Sequence, residues 1–253
     1  MSLEGRHAVV TGAGSGIGRA TAELLALQGA RVTLVGRHVG RLQETADRIG
    51  DAAFAAPADV TDPEALEAAL DAGRDCFGPI DILVNNAGGA SSATFLKTDA
   101  AAWRDMLALN LEAPAQAMRL VLDGMLARRH GRIVNVASTA GLKGYAYVSA
   151  YVAAKHGLVG LTRAAALETA ARGVTINAVC PGFTDTDLVA RSVDAIVEKT
   201  GRTTDEARAT LAAGNPQGRL ITPEEVAETI VWLCGDGASG VNGAAVAVAG
   251  GEA

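Results

Sequence analysis

The chain has 253 residues, of which 49% are hydrophobic and 20% charged, with 22 basic against 28 acidic side chains and a net charge of −6. That composition belongs to a globular chain long enough for a large α/β core, not to a disordered one. An acidic balance without a basic patch excludes the electrostatic footprint of a nucleic-acid binder, and no polybasic run or spanning apolar stretch points to a membrane.

Taken in order, apolar runs alternate with Ala- and Leu-rich helical patterns. His7–Thr11 reads as a short buried strand, Gly16–Gln28 as a helix and Arg31–Val35 as a second strand. Leu42, Ala46 and Ile49 share one face of a helix over Val39–Ile49, and Ala53–Ala56 is a weak strand. Asp62 as N-cap and Pro63 in the first helical position predict a helix over Pro63–Phe77. Further strands are expected at Ile80–Val84, Arg132–Val136, Thr175–Val179 and Ala244–Val248. Helices are expected near Ala100–Ala127, Ser149–Ala171 and Pro223–Cys234. This rhythm predicts βαβ units in a doubly wound, Rossmann-type parallel sheet with helices on both faces. No linker, repeat or low-complexity block divides the chain, so one domain is expected over residues 1–253. Phe183–Arg219 follows a strand and is polar and helical in pattern, as a lid over a site would be.

Cys76, Cys180 and Cys234 are odd in number, far apart and in no C-x-x-C pair, so neither a disulfide framework nor a zinc site is expected. Residues 1–6 lack the apolar core of a signal peptide, and the expected location is the cytoplasm. Asp185 and Asp187 are too few oxygen donors for a hard-cation site, and no metal is expected.

The first strand passes to the first helix through Thr11-Gly12-Ala13-Gly14-Ser15-Gly16-Ile17-Gly18. Glycines permit a tight turn and a close approach of backbone to ligand, and the helix N-terminus then offers N–H groups to a pyrophosphate. The spacing is G-x-x-x-G-x-G, not G-x-G-x-x-G. Twenty positions past Gly16, where dinucleotide folds place the acid that bonds an adenosine ribose, stands Gly36, and Arg37 follows it. A guanidinium suits a ribose 2′-phosphate, which predicts NADP over NAD; an exposed arginine at a helix start is the alternative. In the second half Ser138 ends a strand, and Tyr151 and Lys155 stand at i, i+4, on one helix face.

With these residues in view, the chain resembles the short-chain dehydrogenase/reductase family over nearly its whole length. The resemblance rests on Thr11–Gly18, Asp59-Val60, Asn85-Asn86-Ala87-Gly88, Asn110, Ser138, Tyr151-x-x-x-Lys155 and Pro181-Gly182, in that order. It implies hydride transfer between a nicotinamide cofactor and a ketone or secondary alcohol. In that reading Tyr151 is the acid in reduction and the base in oxidation. Lys155 lowers the Tyr151 pKa and bonds the nicotinamide ribose, Ser138 holds the substrate oxygen, and Asn110 holds a water in the proton path. The same resemblance seats the cofactor on Gly12, Ser15, Gly16, Ile17, Gly18 and Arg37. Asp59 and Val60 lie by adenine, and Asn86, Ala87 and Gly88 along the ribose side. Pro181, Gly182, Thr184 and Thr186 lie beside the nicotinamide. The family commonly forms tetramers, and the Ala-rich helices are candidates for a two-fold contact.

Ser149–Gly182 looks like the 3-hydroxybutyrate dehydrogenase branch, yet the polar groups with which that branch binds a carboxylate are replaced by Ala90, Ala140 and Val148. An unpaired carboxylate in a dry cleft is costly. A 3-oxoacyl thioester or a cyclic ketone is therefore expected, with Lys143 offering one charge. Tyr145 and Tyr147 either line the substrate cleft or only pack. An NAD-linked catabolic dehydrogenase and a non-catalytic dinucleotide-binding regulator are the alternatives.

Overall fold

A computed structural model describes residues 2–253. Seven strands form one sheet in the order β3-β2-β1-β4-β5-β6-β7, and every pairing is parallel. The strands are β1 (His7–Thr11), β2 (Arg31–Gly36), β3 (Ala53–Pro57), β4 (Ile82–Asn85), β5 (Gly131–Val136), β6 (Val174–Pro181) and β7 (Ala245–Val248). The helices are α1 (Gly16–Leu27), α2 (Val39–Ile49), α3 (Pro63–Phe77), α4 (Ala100–Leu107), α5 (Ala113–Arg128), α6 (Ser149–Thr169), α7 (Asp187–Thr200), α8 (Thr204–Ala212) and α9 (Pro223–Cys234).

The two-residue period of a strand explains why both faces are covered. Ala8 and Val10 of β1 join one core with Leu25 of α1, Leu42 of α2 and Ile230 of α9. Val9 between them points into the other core, with Leu66 and Leu70 of α3 and Met118 and Val121 of α5. Each fully buried Leu of this kind contributes about 1.5–3 kcal/mol. Asp62 caps α3 as expected, accepting the N–H groups of Glu64 and Ala65. Thr222 and Glu225 form a capping box at the start of α9.

Most predicted bounds shift by one or two residues, as at β6, and two of the differences have a readable cause. β4 begins at Ile82, not Ile80, because the ladder with β1 starts at Ala8↔Ile82 and Asp81 is taken up by the His7 backbone on both its N–H and its carboxylate. The single helix expected over Ala100–Ala127 is interrupted by a π turn at Ala108–Glu112 between α4 and α5. Pro114 gives the reason: it has no N–H to offer the carbonyl four residues back, that of Asn110.

The chain builds outward from β1 through β2 to β3, then returns to place β4 on the other side of β1. In open parallel sheets a crevice lies at such a reversal, beyond the carboxyl ends of the strands. Residues 183–219 supply α7 and α8, with a small core of their own made by Val189, Val193 and Ala207.

Candidate active site

A cleft of 470 Å³ opens at that reversal. Its lining includes Gly12, Ser15, Gly16, Ile17, Arg37, Asp59, Val60, Asn86, Ala87, Gly88, Asn110, Ser138, Tyr151, Lys155, Pro181, Gly182, Thr184 and Thr186. Of the residues expected at the site, Gly18 does not line it. It sits in the first turn of α1, where a Cβ would run into the Gly12 carbonyl.

The glycine loop is locked from behind. The Thr11 hydroxyl accepts the N–H groups of Asn86 and Ala87, each at 3.0 Å. The Asn86 amide donates to the carbonyl of Thr11 at 2.9 Å and to that of Gly12 at 3.3 Å. Gly12 has φ +67° and Gly16 φ +52°, and a Cβ on Gly16 would meet the Thr186 methyl. Ser15 makes no side-chain cap and the first turn of α1 carries no acid, so its N–H groups face the cleft without an internal anion. This cradle, closed to Cβ atoms and positive in potential, fits a pyrophosphate.

At the outer end Arg37 lies 3.9 Å from the Asp59 carboxylate, an exposed and loose pair. Asp59 is held below the usual carboxylate range chiefly by the Thr61 N–H. Arg41, also on the cleft, donates to Asp187 at 2.8 Å, and Asp185 accepts from Arg208 at 2.7 Å. Each of these two acids is thus answered by a guanidinium. Among the described residues no three His, Cys, Asp or Glu side chains gather as metal ligands.

At the inner end the carboxyl end of β5 delivers Ser138, and the first turns of α6 deliver Tyr151 and Lys155. The ammonium of Lys155 lies 5.7 Å from the centre of the Tyr151 ring and donates to the Val136 carbonyl at 2.8 Å. Burial makes the charged form costly and pulls the Lys155 pKa down to about 8. Burial likewise raises the Tyr151 pKa above 10, and the Ser138 hydroxyl, which stabilises a phenolate, opposes it. The ammonium stands one helical turn from the phenol, the placement that the i, i+4 spacing predicts.

Asn110 is fully buried in the π turn. Its amide donates to the Gly89 carbonyl at 3.0 Å and its oxygen accepts the Gly89 N–H at 3.3 Å. The side chain is thus engaged with the loop after β4. Thr184 donates to the Gly182 carbonyl and Thr186 to that of Thr184, which fixes the turn after β6. Tyr145 lines the cleft, whereas Tyr147 is exposed, with φ +68° and its carbonyl bonded to the Ala93 N–H. Lys143 does not offer its charge to the cleft, because it pairs with Glu252 at 3.4 Å. Sequence reasoning missed Glu252 altogether, since no local pattern marks a carboxylate 107 residues from its partner Tyr145.

The sequence profile of the short chain dehydrogenases matches residues 6–196. A 3-oxoacyl-[acyl-carrier-protein] reductase of Vibrio cholerae is 40% identical, over 99% of this chain and 98% of its own length. A cis-4-hydroxycyclohexanecarboxylate dehydrogenase of Sinomonas cyclohexanicum is 45% identical, over 97% of this chain and 96% of its own. The crystal structure of an actinorhodin polyketide ketoreductase variant with NADPH superposes with a TM-score of 0.94 at 38% identity, covering 100% of this chain and 99% of the other. The chain therefore belongs to the short-chain dehydrogenase family, as an oxidoreductase of hydroxyl and keto groups.

Proposed function

We propose that this protein is an NADPH-dependent ketone reductase whose favoured substrates are 3-oxoacyl thioesters, of carrier protein or coenzyme A, or cyclic ketones. The observation that carries the reading is that Ser138, Tyr151 and Lys155 share one cleft with the glycine loop. The nicotinamide cofactor supplies the hydride when bound. The chain's own residues do the rest. Backbone N–H groups at Ser15–Ile17 hold the pyrophosphate, and Arg37, with Arg41 beside it, answers a ribose 2′-phosphate. The Ser138 hydroxyl holds the ketone oxygen. Tyr151 delivers its proton to that oxygen, and Lys155 bonds the ribose and steadies the phenolate left behind.

The relatives fit both substrate classes: one is named for a 3-oxoacyl thioester and one for a cyclic alcohol. In the cyclic acid the carboxylate stands across the ring from the reacting carbon, whereas in 3-hydroxybutyrate it is two bonds away. A cleft lined by Ala90, Ala140 and Val148 in place of carboxylate-binding groups distinguishes these. Residues 183–219 act as the lid of this one domain. No helix among the described residues is long and apolar enough to cross a membrane. The reading takes the enzyme as cytoplasmic and as a homotetramer joined through helices such as α6, where Leu167 is exposed. The NAD-linked dehydrogenase and the non-catalytic regulator are separated from it by one experiment. A panel of 3-oxoacyl thioesters and cyclic ketones is followed by cofactor absorbance with NADPH and with NADH. Turnover with NADPH preferred is expected; binding of dinucleotide without turnover of any ketone overturns the assignment.

A further inference from the structure

The last residues of the chain fold back onto the substrate side of the cleft. Gly250 and Gly251, with φ of +61° and +96°, turn the chain against Asn215 and Pro216. Glu252 then enters between three segments. A Cβ on Gly182 would come within 3.1 Å of its Oε2, and one on Gly214 within 3.2 Å of its Oε1. Its side chain is only 3% exposed. An acid this deep must be hydrogen-bonded or neutralised, and both conditions are met. The Tyr145 hydroxyl donates to Glu252 Oε1. The Lys143 ammonium donates to the Glu252 backbone carbonyl at 2.7 Å and lies 3.4 Å from Oε1.

The consequences for the cleft are specific. Because the Tyr145 proton is committed to Glu252, its oxygen accepts from the Thr139 hydroxyl, at 2.7 Å. Thr139 and Tyr145 both line the cleft, and Phe183, the first residue of the lid segment, meets the Tyr145 ring edge-on at 6.2 Å. Lys143 sits 5.4 Å from the centre of the same ring, a distance from which an unpaired ammonium would attract an anionic substrate. Glu252 thus fixes the wall that carries Thr139, Tyr145 and Phe183, and cancels the cation behind that wall.

We propose that Glu252 is a specificity-determining positioning residue, which holds Tyr145 in place and neutralises Lys143 so that the cleft takes ketones uncharged around the reacting carbon. The inference rests on the ketone-reductase reading and names its substrate class. Discrimination of this kind is a difference between two affinities, and each tenfold in it corresponds to about 1.4 kcal/mol.

The test compares 3-oxobutanoate with its methyl ester, which differ in the charge and not in the reacting ketone. The quantity read is the ratio of kcat/KM for the acid to that for the ester, with thermal melting as a check on folding. Glu252→Gln keeps the shape and removes the charge, and it should raise the ratio about tenfold. Lys143→Met, at a half-exposed position, should lower it, and the double variant should return it to within about twofold of the parent. An unchanged ratio in a folded Glu252→Gln protein overturns the proposal. If that variant does not fold, Lys143→Met decides in the same way: a lowered ratio supports it and an unchanged ratio overturns it. Failure of the parent to reduce either compound or any other ketone overturns the ketone-reductase reading instead.

Discussion

The two ends of the cleft are built by different means. The cofactor end is centred on one consecutive stretch, Gly12 to Ile17, backed by a few hydrogen bonds from Thr11 and Asn86. Its hold on the pyrophosphate is steric, because backbone must come close and Cβ atoms are shut out, and Arg37 adds a charge at its outer edge. The substrate end is assembled from residues far apart in the chain: Thr139 and Tyr145 after β5, Phe183 after β6, and Glu252 near the end of the chain. Its selectivity is electrostatic, set by which charges are answered. One end can be recognised from a short string of letters and the other cannot, and they should also fail differently when altered.

The largest separation should come from Tyr151→Phe. Loss of the proton donor should lower kcat at least about 10³-fold, while the dinucleotide Kd, read by fluorescence titration, stays within about threefold. Equal losses in both would mean that the phenol also builds the cofactor end. Gly18→Ala should do the reverse. Its new methyl group meets the Gly12 carbonyl, so dinucleotide binding should collapse and the melting curve should report a loss of about 1–3 kcal/mol. Full dinucleotide affinity in that variant would show that the loop can relax around a Cβ.

Arg37→Asp should lower the NADPH-to-NADH ratio of kcat/KM by about 10- to 100-fold, the worth of one or two charge-assisted hydrogen bonds. An unchanged ratio would assign Arg37 to the solvent. Next in size is a pH effect. Lys155 has its pKa lowered by burial to about 8, so the protonated, working form is held below that pH and lost above it. The kcat/KM for ketone reduction should therefore fall about tenfold for each unit of pH above 8. In Lys155→Arg the break should move to much higher pH, since a guanidinium does not titrate there. The smallest effect belongs to the frame that both ends share. Thr222→Ala removes the side-chain cap of α9 and should cost about 1 kcal/mol in denaturant unfolding, with the cofactor preference unchanged.

Legibility in the sequence follows the same division. α1, α2, α3 and α9 were readable because period, cap and breaker agreed within a dozen residues, as at Asp62-Pro63. The glycine loop and the Tyr151–Lys155 spacing were readable because their chemistry needs fixed local offsets. The start of β4 was misplaced because Ile80 is buried yet unpaired in the ladder, and burial alone cannot tell the two apart. The π turn did carry a signal, Pro114 within a helical pattern, which the Ala-rich periodicity around it obscured. The hydrogen bond from Lys155 to the Val136 carbonyl could not be read, since it depends on how the fold sets α6 against β5, and the i+4 spacing says nothing of that. Lys143 looked like a free cation only because its partner is 109 residues away.

The π turn also makes the spacing of one segment unforgiving. An α-helix advances about 100° per residue. Removing one residue between Met106 and Pro114, for instance Leu109, would let α4 run straight into α5 and swing Asn110 through that angle, away from Gly89. The loop after β4 would then lose its tether. A single deletion here should be far more damaging than any side-chain replacement at the same positions, because it changes the phase of every residue that follows in α5.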